Sequence, residues 1–215
     1  MSKLSSSAMR KTPWSGYEAK GIYSVSSLYA VINFRGVSPV FVHAVWKLSV
    51  PPKIHFFLWL LSHNKILTRD NLSKRQNVDD LTCVFCSEAE SCCHLFFQCA
   101  VAKEMWSELK CVTGICSDSV SFESIACMWL CDKKFKSHNA IHAVALWILW
   151  NTRNDMCFNR SPWPGFQCMW RRMASLLSQW KVLFCEDTRG AVESAISGME
   201  HMARRPPLLC WPDPG

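Results

Sequence analysis

The chain has 215 residues; 49% are hydrophobic, and thirteen cysteines, eleven tryptophans and twelve phenylalanines are present. This composition excludes a disordered chain, and the length suffices for one core or for one core with a small metal-stabilised lobe. No apolar run reaches the ~18 residues of a membrane span, and the first residues lack the apolar segment of a secretory signal. We therefore expect an intracellular protein with reduced thiols and no membrane partner, in either nucleus or cytoplasm.

The net charge of +7 is unevenly distributed along the chain. Residues 1–80 contain eleven Lys or Arg against four Asp or Glu, whereas residues 81–215 contain thirteen of each. A basic half indicates an anionic partner, for which RNA or DNA is the usual candidate. An ordinary solvated surface explains a charge of this density equally well, and both interpretations stay open.

The predicted elements of the N-terminal third include a polar arm, a strand and a buried helix. We predict a flexible arm at 1–16 and one short β-rich strand at 21–25. Pro51 and Pro52 suit a helix start, and the helix that we predict at 53–64 is apolar on every side. We expect this helix to be the centre of the core. The polar stretch that follows supplies the candidate nucleic-acid-binding residues Lys65, Arg69, Lys74 and Arg75.

A C-x2-C-x7-H-x4-C motif follows, formed by Cys83, Cys86, His94 and Cys99. Three thiolates and one imidazole are a typical ligand set for tetrahedral Zn²⁺, and a site filled by four protein ligands is structural rather than catalytic. We predict one structural zinc ion here. The spacing alone leaves Cys92 and Cys93 as alternative ligands.

Four further helices are predicted after the motif, at about 100–113, 122–130, 138–159 and 166–184, and a flexible tail at 187–215. The last of these helices has an apolar seam, which either packs on its own domain or binds a partner helix. The seam comprises Phe166, Trp170, Met173, Leu177, Trp180 and Phe184.

The motif and its flanks resemble the zinc-binding domain that follows the polymerase in plant non-LTR (LINE-type) retrotransposon reverse transcriptases. The resemblance covers about residues 17–160. Its most specific parts are the segment around Pro51 and Pro52, the Cys83/Cys86 pair, and His94-Leu-Phe-Phe-Gln-Cys99. It continues through the Trp-x-x-Arg-Asn segment that ends at Asn154.

The resemblance implies that His94 and Cys99 are the second ligand pair and that Cys92 and Cys93 are bystanders. The chain departs from the family pattern at Ala100, where a proline is usual, and at Leu60, where an arginine is usual. Neither departure removes a ligand.

The sequence lacks the paired-aspartate motif of a polymerase, and Asp79 and Asp80 are typical of a solvated turn. We therefore expect a fragment of a retroelement that has lost its enzymes: a mainly α, non-catalytic zinc-binding module without a small-molecule substrate. We expect it to contact RNA or DNA, and the alternative is a structural or protein-interaction domain in which zinc serves only folding. The predicted domains are a zinc-binding domain at 17–112 and a helical extension at 113–186.

Overall fold

The computed structural model describes residues 44–114, 122–129, 136–158 and 161–206, all of which belong to the compact unit Val40–Gly215. The predicted arm at 1–16 and strand at 21–25 lie outside the described residues. The described residues are mainly helical, as predicted, and contain no strand beyond one antiparallel bridge between Thr82 and Ala89. The α-helices are α1 (Pro52–Ser62), α2 (Arg69–Ser73), α3 (Ala100–Thr113), α4 (Phe122–Trp129), α5 (Lys136–Cys157), α6 (Gly165–Trp180) and α7 (Glu186–Arg204).

Helix α5 is the centre of the packing. It contacts α1, α4, α6 and α7 as well as the π-helical turn His94–Gln98. Nearly all of its circumference is buried, including the predicted stripe, because small residues such as Ala140 and Ala143 let neighbouring helices approach on several sides. The stripe consists of Ile141, Val144, Ala145, Ile148, Leu149 and Thr152.

The prediction that the helix at 53–64 is buried all round is wrong. Helix α1 begins at Pro52, as expected, but buries only the face that carries Ile54, Phe57, Leu58 and Leu61. Phe56, on the opposite face, is 56% exposed. The reason is positional, since α1 packs on α5 from one side and the central place in the core is taken by α5.

The predicted flexible tail from 187 onward is also wrong as far as residue 204. Helix α7 packs against α6, α5 and α3 and starts with Glu186 and Asp187, which favour a helix N-terminus. Residues 207–215 of that prediction lie outside the described residues. The apolar residues that anchor α7 are Val192, Ala195, Ile196, Met199 and Met202.

The apolar seam of α6 is not available to a partner helix. Trp170, Met173 and Leu177 are at most 1% exposed, and Trp180 and Phe184 are buried as well. The seam packs within the chain against α5 and α7, whereas Phe166 is half-buried against Trp163. Of the two interpretations of this seam, packing on its own domain is therefore correct, and the partner-helix alternative is wrong.

The contact between α7 and α3 depends on one glycine. A Cβ atom at Gly198 would lie 2.7 Å from Cγ1 of Val112, a β-branched side chain with little rotamer freedom in a helix. We expect Gly198→Ala to lower the free energy of unfolding by about 1–3 kcal/mol through overpacking. Gly190→Ala on the same helix is the matched control, because its Cβ would meet nothing within 4 Å. The control should raise stability by about 0.5–1 kcal/mol in urea unfolding, and equal destabilisation of both variants would refute the close contact.

Among the described residues, none of the helices combines the length and the apolar character needed to cross a membrane. Nine of the cysteines in the described ranges are free thiols. The predicted domain boundaries at 16/17 and 112/113 stay predictions.

Candidate metal centre

Cys83 and Cys86 lie in a tight turn that local hydrogen bonds hold in shape. The backbone N–H of Cys86 donates to the carbonyl of Cys83 at 3.2 Å, and the N–H of Phe85 donates to the Cys83 sulfur at 3.4 Å. The base of the loop is closed by the Cys83 N–H, which donates to the carbonyl of Glu88 at 2.7 Å. These bonds place the two sulfurs on the same side of the turn.

His94 and Cys99 are brought together by one wide helical turn. The π-helical turn His94–Gln98 ends with a 2.7 Å hydrogen bond from the Cys99 N–H to the His94 carbonyl. Because that turn spans five residues, the x4 spacing of the motif places both side chains on one side of the backbone. Cys99 is also the N-cap of α3, so that Ala100 occupies the first helical position, which is one that accepts proline.

The four side chains form one compact cluster. Their ligand atoms all lie within 4.8 Å of one another. The Cys99 sulfur lies 3.8 Å from that of Cys86 and 4.0 Å from that of Cys83, and Nε2 of His94 lies 3.2 Å from the Cys86 sulfur. A tetrahedron with Zn–S bonds of about 2.3 Å separates its sulfur ligands by about 3.8 Å. The geometry of the cluster therefore fits one zinc ion.

Burial and charge suit a soft cation at this cluster. Cys83, His94 and Cys99 are buried, and Cys86 is partly exposed. The pKa of Cys99 is lowered to about 6, chiefly because the Cys83 thiol donates a hydrogen bond to its sulfur, and the backbone amides of Val101 and Ala102 act in the same direction. The same interaction, together with burial, raises the pKa of Cys83. One thiolate is thus favoured at neutral pH, and a thiolate is the form that binds zinc.

Cys92 and Cys93 do not belong to the cluster. The buried Cys92 sulfur lies 3.6 Å from Oγ1 of Thr68 and 3.8 Å from Nδ2 of Asn71, and burial raises the pKa of this thiol to about 11. Cys93 is exposed. Within the described part of the chain, the cluster of Cys83, Cys86, His94 and Cys99 is the group whose ligand atoms converge as a metal requires.

A comparison with known protein families agrees with this site. Residues 23–106 match the family described as zinc-binding in reverse transcriptase. The match covers less than half of the chain, and no curated protein or solved structure matches it. The matched family binds zinc, in agreement with the Cys/His motif and with the cluster of its four side chains.

The zinc-binding segment is joined to α5 by a buried ion pair that the sequence analysis did not anticipate. Glu90 lies between the two halves of the motif, and Arg153 donates to its carboxylate twice, from Nη2 at 2.6 Å and from Nε at 3.0 Å. The side chain of Glu90 is 0% exposed and that of Arg153 is 7% exposed. The guanidinium also lies 5.3 Å from the centre of the Trp150 ring. Trp150 and Arg153 belong to the Trp-x-x-Arg-Asn segment. This segment thus packs beside the metal loop, which comprises residues 81–99.

Aromatic contacts complete the support of the loop. Phe85 packs edge-to-face on Trp163 at 5.6 Å, and Phe97 stacks on Trp106 at 6.1 Å. The indole N–H of Trp106 donates to the carbonyl of Phe96 at 2.7 Å. Phe85, Phe96 and Phe97 are all at most 4% exposed, so these rings are core residues rather than a platform for bases.

The four predicted nucleic-acid-binding cations differ in availability. The guanidinium of Arg69 is paired with Asp80, whose pKa is lowered to about 2, chiefly by hydrogen bonds from Thr82. Lys74 donates to Oδ1 of Asn71 at 2.8 Å. Lys65 and Arg75 are exposed, and neither forms an ion pair within the described ranges.

Proposed function

We propose that the protein is a non-catalytic zinc-binding module that contacts RNA or DNA. In this proposal Cys83, Cys86, His94 and Cys99 bind a single structural Zn²⁺ ion, with His94 using Nε2. The observation that carries the proposal is the convergence of four good protein ligands within 4.8 Å. A catalytic zinc needs an open coordination position for water, and a complete set of four protein ligands leaves none.

The zinc serves to fix the loop between Leu81 and Cys99. A metal-bound thiol is deprotonated, so binding would convert a cluster of hydrogen-bonded thiols into three thiolates around one Zn²⁺ ion, with a net charge of −1. The π-helical turn of this loop packs on α3 and α5, whereas residues 81–93 are held by contacts that include the Phe85 ring on Trp163 and the Glu90 pair. We infer that the free energy of metal binding contributes directly to the folding of this segment.

The nucleic-acid part of the proposal is supported by charge. The basic excess of the chain lies entirely in residues 1–80, upstream of the metal cluster. Lys65 and Arg75 are exposed cations that precede the motif in the sequence. Contacts to phosphates give affinity without sequence selectivity, because the phosphodiester backbone is the same at every base.

Titration of the purified protein with labelled RNA and DNA tests this proposal. With about four phosphate contacts, the affinity for a single strand should fall about 50-fold between about 50 and 200 mM salt, because each contact releases counterions. The alternative, in which zinc serves only folding, predicts no binding at micromolar protein. Binding that does not change with salt would also contradict the proposal.

A further inference from the structure

A basic groove lies between helices α1, α5 and α6, away from the metal cluster. Its volume is about 640 Å³, and it is lined by Lys53, Trp147, Asn151, Arg171, Arg172 and Ser175, among others. The lining contains three cations, whereas Asp155 is the carboxylate among the lining residues. No residue of this groove belongs to the zinc motif or to the four cations predicted from the sequence.

Two of the three cations are free to bind an anion. Arg172 is paired with Asp155 at 3.1 Å. In the part of the chain that the structure describes, Lys53 and Arg171 form no ion pair. The Lys53 ammonium lies 5.9 Å from the centre of the Trp147 ring, and Arg171 gives one donor, Nε, to the carbonyl of Gln167 at 3.3 Å. The guanidinium of Arg171 keeps its remaining N–H donors for a ligand.

The groove continues along α6 as a second depression of about 410 Å³. Arg171 and Ser175 line both depressions, and the second is also lined by Ser178, Gln179 and the carboxylate of Glu200. An elongated groove with polar donors along one helix suits a chain-like polyanion better than a single small phosphate.

An exposed aromatic pair lies on α1, one turn beyond Lys53. The rings of Phe56 and Trp59 are stacked, with centroids 6.1 Å apart and an interplanar angle of 22°. Phe56 is 56% exposed, and Trp59 is half-buried. A base can stack on such a ring only when the face of the base is accessible. The faces of the bases are accessible in a single strand, whereas in a duplex they are covered by neighbouring base pairs.

We propose that this groove and the adjacent Phe56–Trp59 pair bind single-stranded nucleic acid, with phosphates at Lys53 and Arg171 and a base on Phe56. This inference rests on the proposed contact with nucleic acid and names a different surface and the preferred form of the ligand. It assigns a role to the outer face of α1, which the core does not use.

The test compares three variants by fluorescence anisotropy with a labelled single-stranded RNA of about 16 nucleotides and with the matching duplex. Lys53→Gln/Arg171→Gln should weaken single-strand binding at least about tenfold and reduce the salt slope by about 1.4, the value for two lost phosphate contacts. Phe56→Ala should weaken it about fivefold or more, the loss of one stacked base. The matched control, Lys65→Gln/Arg75→Gln, also removes two exposed cations and should have a smaller effect. Unchanged zinc content and melting temperature establish that each variant is folded.

The outcomes separate this inference from the proposed function. If Lys53→Gln/Arg171→Gln binds like the parent protein while Lys65→Gln/Arg75→Gln loses affinity, the groove is refuted and the proposed function stands. Equal affinity for duplex and single strand refutes the preference for a single strand. If the parent protein binds neither, the proposed contact with nucleic acid and the groove fail together.

Discussion

The Cys99→Ser variant should no longer bind one zinc per chain. The backbone amides of its metal loop, residues 81–99, should exchange with solvent faster than those of the parent protein. The Cys99 sulfur is fully buried and lies within 4.0 Å of the sulfurs of both Cys83 and Cys86, so its removal opens the centre of the cluster. Zinc binding is worth about 10–16 kcal/mol of apparent free energy in small zinc-finger peptides. Whole domains are stable by only about 5–15 kcal/mol, so even a fraction of that loss would unfold the loop.

Cys93→Ser is the matched control for this experiment. Cys93 is adjacent to His94 in the sequence but exposed, and it lies outside the cluster. Amide exchange across residues 81–99 and bound zinc should be the same in Cys93→Ser as in the parent protein. A Cys99→Ser protein that retains a full equivalent of zinc and normal protection would contradict the assignment of the ligands.

The Arg153→Met variant should lose about 3–5 kcal/mol of unfolding free energy. Its partner Glu90 has a side chain that is 0% exposed, and it would remain as an uncompensated carboxylate beside the metal loop. The backbone N–H of Arg69 still donates to Oε1 of Glu90 at 2.8 Å, but one hydrogen bond does not replace two charged ones. Chemical denaturation with a two-state fit measures the loss.

Two further variants show whether the buried charge is the cause. Arg172→Met removes an arginine from a partly exposed pair with Asp155 and should cost less than about 1 kcal/mol. The double variant Glu90→Gln/Arg153→Met should recover part of the stability lost by Arg153→Met, because the remaining side chain is neutral. If Arg153→Met and Arg172→Met cost the same, the ion pair does not hold the loop to α5.

The metal cluster could be predicted from sequence because its four members lie within one short segment. The x2 spacing between Cys83 and Cys86 and the x4 spacing between His94 and Cys99 each encode one local turn, and local turns do not depend on the rest of the fold. The helices α1, α3, α5 and α6 were predictable for a similar reason, since their apolar residues recur with a helical period. Gly114, in the left-handed conformation at φ +69°, ends α3 where the sequence placed its stop.

What could not be predicted depends on contacts between distant segments. Glu90 and Arg153 are 63 residues apart in the sequence, and the residues around each of them do not indicate that the two side chains form an ion pair. Helix α7 contains two glycines and many charged residues, and these obscured the helical spacing of its few apolar side chains. The outer face of α1 was misread because an apolar residue such as Phe56 does not reveal from sequence whether another element covers it.

The most direct test of the zinc site is elemental analysis of protein purified without added metal, followed by removal of the metal with a chelator. We expect about one zinc per chain, and loss of hydrogen-exchange protection across residues 81–99 when the metal is removed. Metal-free protein that keeps the same protection and the same melting temperature would contradict this expectation.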